Sequence, residues 1–443
     1  MNVVAAVSTG DAVEQKEKAG RFLYWWLLLA VFFEYARPGY QYHFLLAIPL
    51  NSIIPLSLFV VSMLAGGQRP WSEITRDNMW KWPIIMVAFV LASMGWASVT
   101  TYTYNTFMLI LGYLILFVLI ARIVTTPRRL RGLFITLIVS HFFLLVYNPL
   151  VVTDPYTRHY VTGATFLGDG NDFALSLVIL LPFAFELLRS AQSTVGRALS
   201  FAALGVLILA IVGTQSRGAT LGMGMVFAYL WWRSPRKGPG IVAICVALLG
   251  VLLYAPDVYF QRMKTLKNPE QESSAEARLK AWRAGTRMAQ DNILGVGAGN
   301  FPNNFPKYRA SDAPVRWMTA HSMYFLALGE LGILGLLLII KLLAGNIIAN
   351  VRQRNLLSKM PTGPPATVAH IRLLNLVNAS ALGLAVSGAF LSVTYYPHLF
   401  MLTAIFICTR SFAADLGDKG APAQSQAPRR SRFARISGKA AGA

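Results

Sequence analysis

The chain has 443 residues, of which 55% are hydrophobic and only 13% charged. A soluble domain carries roughly a quarter charged residues, so this composition excludes an ordinary globular fold. The net charge of +21 would suit a nucleic-acid partner, but the distribution of that charge along the chain points elsewhere.

Residues 1–21 are polar and are expected to form an unstructured cytoplasmic tail with no cleavable signal peptide. Apolar stretches then recur, each long enough to cross a hydrocarbon core of about 30 Å as a helix. They are placed at 22–38, 43–65, 82–99, 105–124, 133–151, 172–189, 198–215, 219–232 and 240–255, and, after a gap, at 321–340, 373–393 and 395–411. The fold class is therefore all-α: a polytopic integral membrane protein of about twelve spans. Segments of about ten residues with alternating polarity, the mark of a transmembrane barrel, are absent. The second stretch contains Pro49 and Pro55 and is expected to kink or split. Both cysteines, Cys245 and Cys408, fall inside spans and make neither a disulfide framework nor a metal site.

The domain reading follows. Residues 22–255 hold nine helices, 256–320 form one large external loop, 321–412 hold three more helices, and 413–443 form a basic, disordered cytoplasmic tail. The segment 342–372 reads as a cytoplasmic linker. With the amino terminus inside, internal segments hold 27 of the 40 Lys and Arg residues, for example Arg233, Arg236 and Lys237. Short external connections hold three, and the long loop ten. This asymmetry orients the chain, and the basic excess becomes a topology signal and a contact to anionic lipid. No nucleic acid is needed to account for it.

Two external segments stand out. The first, 152–172, ends in Asn171–Asp172, which reads as an N-cap for the following span. The second, 256–320, contains Ser273 followed by Glu276, a capping box that predicts a helix over 274–290. On that helix Glu276, Lys280, Arg283 and Arg287 fall within about 60° of one another and form a solvated face. Arg278 lies on the opposite side with Trp282, Gly285 and Ala289. An arginine on an apolar stripe needs a partner: either a structural ion pair or an anionic ligand.

Arg217 poses the same choice in the tight turn TQSRGAT (214–220), where Thr214 and Ser216 add hydroxyls. A lipid anchor is one reading. The near absence of other basic residues from short external connections favours an anion site, for which planar guanidinium groups are well suited. His321 opens the next span. A histidine with a pKa of about 6.5 is mostly neutral at neutral pH and suits a general base. His43 and His398 sit near external helix ends, His370 is cytoplasmic, and His141 is mid-span with no obvious partner. Glu330, an intramembrane carboxylate, stays unassigned. No HExxH, P-loop, GxSxG or clustered ligand pattern appears, so neither cofactor nor metal is expected.

TQSRGATLG (214–222), RLKAWRAG (278–285), NILGVGAGNF (292–301) and HSMYFLALGELGILG (321–335) together resemble the O-antigen ligase and polymerase family. His321 stands eleven residues before Gly332, an H-x10-G spacing similar to that of the ligases, and GDGNDFALSL (168–177) is similar to the start of the family's middle span. The chain looks most like the exosortase-associated O-glycosylation ligase branch. The ligases often carry leucine four residues after the loop arginine, where this chain has Trp282.

The resemblance implies a GT-C-type architecture in the bacterial inner membrane, with both termini cytoplasmic and a periplasmic active face. It implies transfer of a glycan from undecaprenyl diphosphate to an acceptor hydroxyl, usually a sugar of the lipid A core. Carried over by position, Arg217 and Arg278 hold the diphosphate and His321 activates the acceptor. Ser216, Asn171 and Arg283 complete the substrate-binding set. A polymerase or a protein O-glycosylation ligase would use the same chemistry. A lipid-linked glycan flippase is the reading from another class, but transporters place polar groups near the midplane, whereas Arg217, Arg278 and His321 lie at one face.

Overall fold

The computed structural model describes residues 2–161, 166–264, 273–310, 317–359 and 365–420. Within them the chain is a bundle of helices: α1 (Asn2–Ala36), α2 (Leu50–Leu64), α3 (Trp71–Ile74), α4 (Lys81–Ala92), α5 (Thr100–Ile123), α6 (Pro127–Tyr147), α7 (Leu150–Thr153) and α8 (Gly170–Ser190). There follow α9 (Thr194–Gly213), α10 (Arg217–Arg233), α11 (Lys237–Tyr254), α12 (Asp257–Lys264), α13 (Ser273–Asp291), α14 (Phe301–Tyr308), α15 (Met323–Leu357), α16 (Pro365–Gly388) and α17 (Pro397–Gly420). No strand occurs among the described residues.

Each of the twelve apolar stretches coincides with helix. Among the described residues six helices, α5, α6, α8, α9, α15 and α16, are long and apolar enough to cross a membrane; α2, α4 and the apolar part of α17 (Pro397–Phe412) are shorter. The chain is an all-α, multi-pass membrane protein. Bulky apolar side chains such as Phe22, Leu64, Val146 and Leu253 point outward. In water this would be costly; against lipid it is the expected surface.

Several boundaries differ from expectation. The polar leader is helical from Asn2, because its run of Ala, Glu, Gln and Lys favours helix, and an i,i+4 pair joins Arg21 to Glu17 at 3.6 Å. The second stretch, by contrast, splits at Pro49 as its prolines predict, into a 3-10 turn (His43–Ala47) and α2. The expected 342–372 linker is mostly helix: α15 continues to Leu357 and α16 begins at Pro365. Its polar residues are satisfied inside the bundle, where Arg410 donates to the Asn346 and Asn350 side-chain oxygens at 2.9 and 3.1 Å. Arg410 also pairs with Asp77 at 2.6 Å. Of the tail expected to be disordered from 413, residues 413–420 are the end of α17; residues 421–443 lie outside the described residues.

Basic side chains gather at one end of the bundle. There Arg69 donates to the Ala121 and Val124 carbonyls, Arg129 to Ile123, and Arg372 to Glu186. The opposite end holds the loops that carry Arg217 and His321.

The loop following α13 is bolted into this opposite end. Gly332 breaks α15 with φ +63°, in the left-handed region. The break frees the carbonyls of Gly329 and Glu330, which a continuous helix would offer to residues 333 and 334. The N–H groups of Val296 and Gly297 take them at 3.0 and 2.9 Å. The Glu330 carboxylate then accepts from the N–H groups of Gly299 and Phe301, each at 2.8 Å. On its other side the same strap is held by the α4–α5 connection and the start of α5: Ser98 N–H donates to the Val296 carbonyl at 3.1 Å, and the Thr103 hydroxyl to the Ala298 carbonyl at 2.9 Å. Glu330 therefore has a structural account, an intramembrane carboxylate that satisfies two otherwise orphaned backbone donors.

A Cβ at Gly332 would lie 1.9 Å from the Ile293 carbonyl oxygen. Gly332→Ala should therefore destabilise the protein by at least the roughly 1–3 kcal/mol of backbone strain alone. Gly112→Ala, at a mid-helix glycine with nothing within 4 Å, should be neutral or stabilising by up to about 1 kcal/mol. Apparent melting temperatures in detergent check the pair, and equal values would contradict the clamp.

Candidate functional site

Three turns build the end of the bundle opposite the basic cluster. In the α9–α10 turn, Gln215 adopts φ +53°, an unusual conformation for a residue with a side chain. Its side-chain amide holds the turn by donating to the Pro155 carbonyl at 2.8 Å. Ser216 is the N-cap of α10, accepting from Ala219 N–H at 3.4 Å, and Arg217 is the first residue of that helix. Arg217 is buried, 8% exposed, which separates it from an arginine that merely floats among headgroups. The Thr214 hydroxyl is spent on the Ile211 carbonyl at 2.7 Å, so it is not a donor beside Arg217.

The second turn begins α8. Its N-cap is Asp169, not the Asn171–Asp172 pair: the Asp169 carboxylate accepts from both the backbone and side-chain amides of Asn171, at 2.7 and 2.8 Å. Asp169 also faces Arg158 at 3.4 Å, while Asp172 accepts from the Tyr396 hydroxyl at 2.5 Å. A Cβ on Gly170 would come within 3.8 Å of Thr214, so the starts of α8 and α10 adjoin. In the preceding loop, bonds from Thr157 and His159 hold the Asp154 carboxyl at about 2.

The third turn carries His321, which has φ +46°. Two contacts hold it there. Its own N–H donates to the Ser392 hydroxyl at 2.8 Å, and Thr319 donates to the same oxygen at 2.9 Å. The carbonyl of the preceding residue, Ala320, accepts from the Trp282 indole at 3.0 Å. Trp282 stacks on Phe325 with ring centroids 5.0 Å apart, and Gly285 approaches Gly329 so closely that a Cβ on the latter would sit 3.3 Å from it. The apolar stripe of α13 thus packs against α15, while on the solvated face Lys280 pairs with Glu276 at 2.8 Å. Arg278, on the stripe, is half-buried; Arg283 is exposed.

The three turns share one neighbourhood. Arg278 and Asp169 are both close enough for their charges to act on His321. Gly218, next to Arg217, packs against Phe390, two residues from the Ser392 that fixes His321. Burial, then the Arg278 charge, hold the His321 imidazole below the ordinary histidine value of 6.5, and Asp169 pulls the other way. A depressed pKa keeps the ring neutral and proton-accepting at neutral pH.

Sequence reading left out Ser392 and the Asp169 cap. Ser392 lies seventy-one residues downstream in a turn with no motif of its own. His141 has partners that the sequence did not suggest: Ser176 at 2.6 Å and the Leu137 carbonyl at 2.8 Å. Among the described residues no group of three or more His, Cys, Asp or Glu side chains is placed to hold a metal ion.

Arg278→Gln removes a positive charge and should raise the His321 titration midpoint; Asp169→Asn should lower it. Peptide-level mass spectrometry of histidine acylation against pH reads both. Shifts in the same direction for the two variants would show that neither charge reaches the ring.

Residues 201–340 match the family model for O-antigen ligase, a stretch that runs from α9 into α15 and includes Ser216, Arg217, Arg278, Arg283 and His321. No curated protein matches the chain.

Proposed function

We propose that this membrane enzyme moves a glycan from undecaprenyl diphosphate to an acceptor hydroxyl, a lipid A-core sugar, at the periplasmic face of the bacterial inner membrane. The orientation places both termini in the cytoplasm, with twelve spans in a GT-C-type arrangement. What carries the reading is the neighbourhood of His321: a neutral imidazole within reach of the Arg278 charge and beside the turn that begins α10 at buried Arg217.

The chemistry follows from those groups. The acceptor oxygen attacks the anomeric carbon as the bond from that carbon to the diphosphate oxygen breaks. The acceptor's proton passes to His321, and the diphosphate leaves with its negative charge against Arg217 and Arg278. Fixed guanidinium groups stabilise that charge as it develops, without reorganisation. A single displacement inverts the anomeric centre and requires no metal. Ser216 and Asn171 border the donor site, and exposed Arg283 meets the parts of the substrate that project from the membrane. A growing polymer or a protein hydroxyl would enter by the same steps, so acceptor choice rests on the shape of the opening.

His321→Ala should lower transfer from a synthetic undecaprenyl-diphosphate oligosaccharide about 10²–10⁴-fold, the usual range for a general base. Arg217→Gln should lower it about 10²–10³-fold, as for removal of a donor to a developing anion. Both variants should elute as folded protein in detergent. Wild-type turnover by folded His321→Ala would remove the base assignment.

A further inference from the structure

The opposite end of the bundle carries a recess of about 680 Å³, formed where the last turns of α8 and α10 meet the first turns of α16, flanked by α9 and α11. Arg217 and Arg233 stand at the two ends of α10, sixteen residues apart, so the recess lies about 24 Å from the candidate site. Its walls are apolar: Leu204 and Ile208 from α9, Phe227 and Leu230 from α10, and Leu376 from α16. Its mouth is basic, with Arg189, Arg233, Arg236 and Arg372.

Among the described residues none that lines the recess is acidic. The nearby carboxylate, Glu186, is engaged by Arg372 in a two-pronged pair at 2.9 and 3.1 Å. Arg189 and Arg236 are exposed and Arg233 half-buried. Lys237 adds a further cation beside the mouth, its ammonium 4.9 Å over the Trp231 ring. Trp231 also lines the recess, and its buried indole nitrogen has no acceptor among the described residues.

An apolar slot of this volume under a ring of guanidinium groups matches a ligand with a hydrocarbon chain and an anionic head. A free phosphate would leave the walls unused. A zwitterionic lipid would leave the arginines without a net charge to meet. We propose that the recess binds one anionic glycerophospholipid from the surrounding leaflet, with an acyl chain between α8, α10 and α16 and its phosphate against Arg233 and Arg236. The same three helices carry Asp169, Arg217 and the approach to Ser392 at their far ends. A lipid wedged between them therefore braces the scaffold of the candidate site.

The test uses the full chain in mild detergent, titrated with phosphatidylglycerol or with phosphatidylcholine of identical acyl chains and read by native mass spectrometry. One phosphatidylglycerol should be retained in preference, and inorganic phosphate should not displace it. Each basic residue near a membrane surface contributes a factor of roughly five to anionic-lipid binding, so Arg233→Gln with Arg236→Gln should weaken retention about 25-fold. The Arg233→Lys, Arg236→Lys pair keeps the charge and should stay near wild type, which separates charge loss from misfolding. Ile208→Trp, which fills the slot with the rim intact, should also expel the lipid. Equal retention of both lipids, unchanged retention in the double glutamine variant, or displacement by phosphate alone would each overturn the proposal.

Discussion

The arrangement at the candidate site depends on one buried carboxylate. Glu330 sits inside α15 and accepts from the backbone N–H groups of Gly299 and Phe301. These donors belong to a strap that leaves the sheath of helices and would otherwise bring unsatisfied peptide groups into an apolar interior. Each such group costs several kcal/mol in hydrocarbon. With the carboxylate in place the strap is anchored, and so is α13, which precedes it. Trp282 and Gly285 can then pack against the start of α15, and the segment leading to His321 is held from both sides. An intramembrane carboxylate is a functional suspect by default, but here its bonds give it a mechanical role, one that positions the chemistry from below.

Strain is concentrated where that positioning matters. Among the described residues, three side-chain-bearing residues adopt positive φ: Arg37, Gln215 and His321. All three lie at the same end of the bundle. Arg37 pairs with Glu34 at 2.8 Å and places its guanidinium over Phe166. Gln215 ties its turn to the 154–157 loop, and His321 hangs its N–H on Ser392. Left-handed conformations of such residues cost of order 1–3 kcal/mol and persist only where surrounding contacts impose them. The contacts at Gln215 and His321 come from segments remote in sequence, so both turns are shaped by tertiary packing.

Local signals were therefore legible and remote ones were not. Hydropathy located the twelve apolar stretches, because lipid demands long apolar runs whatever the tertiary partners. The proline split at Pro49 and the charged and apolar faces of α13 follow from backbone chemistry and a 3.6-residue period, and both can be read from adjacent residues. The polar ends of helices were harder. Residues 342–357 fell within the segment read as a linker, 342–372, and only Arg410, sixty or more residues away, explains why Asn346 and Asn350 are buried there. The α8 cap shows the same limit on a smaller scale: three acidic or amide residues stand together in GDGND, and only geometry selects Asp169 as the acceptor. Ser392 carries no pattern at all.

The spacing between His321 and Gly332 acquires a physical meaning from this. His321 stands two residues before α15, and the helix from Met323 to Gly332 alone spans about 14 Å, too far for the glycine to share in any chemistry at the histidine. What the glycine does is break α15 where the strap docks, since a Cβ there would collide with the Ile293 carbonyl. The same α15 segment meets the strap at its lower end and, at its upper end, Trp282 of the helix that precedes the strap. Histidine and glycine are thus two ends of one rigid segment. The number of residues between them sets the height of His321 above the clamp, and through α13 its distance from Arg278. A shift of one residue would rotate the docking face by about 100° and misalign both ends. The motif records a fixed length of helix, and the chemistry proposed for His321 depends on that length.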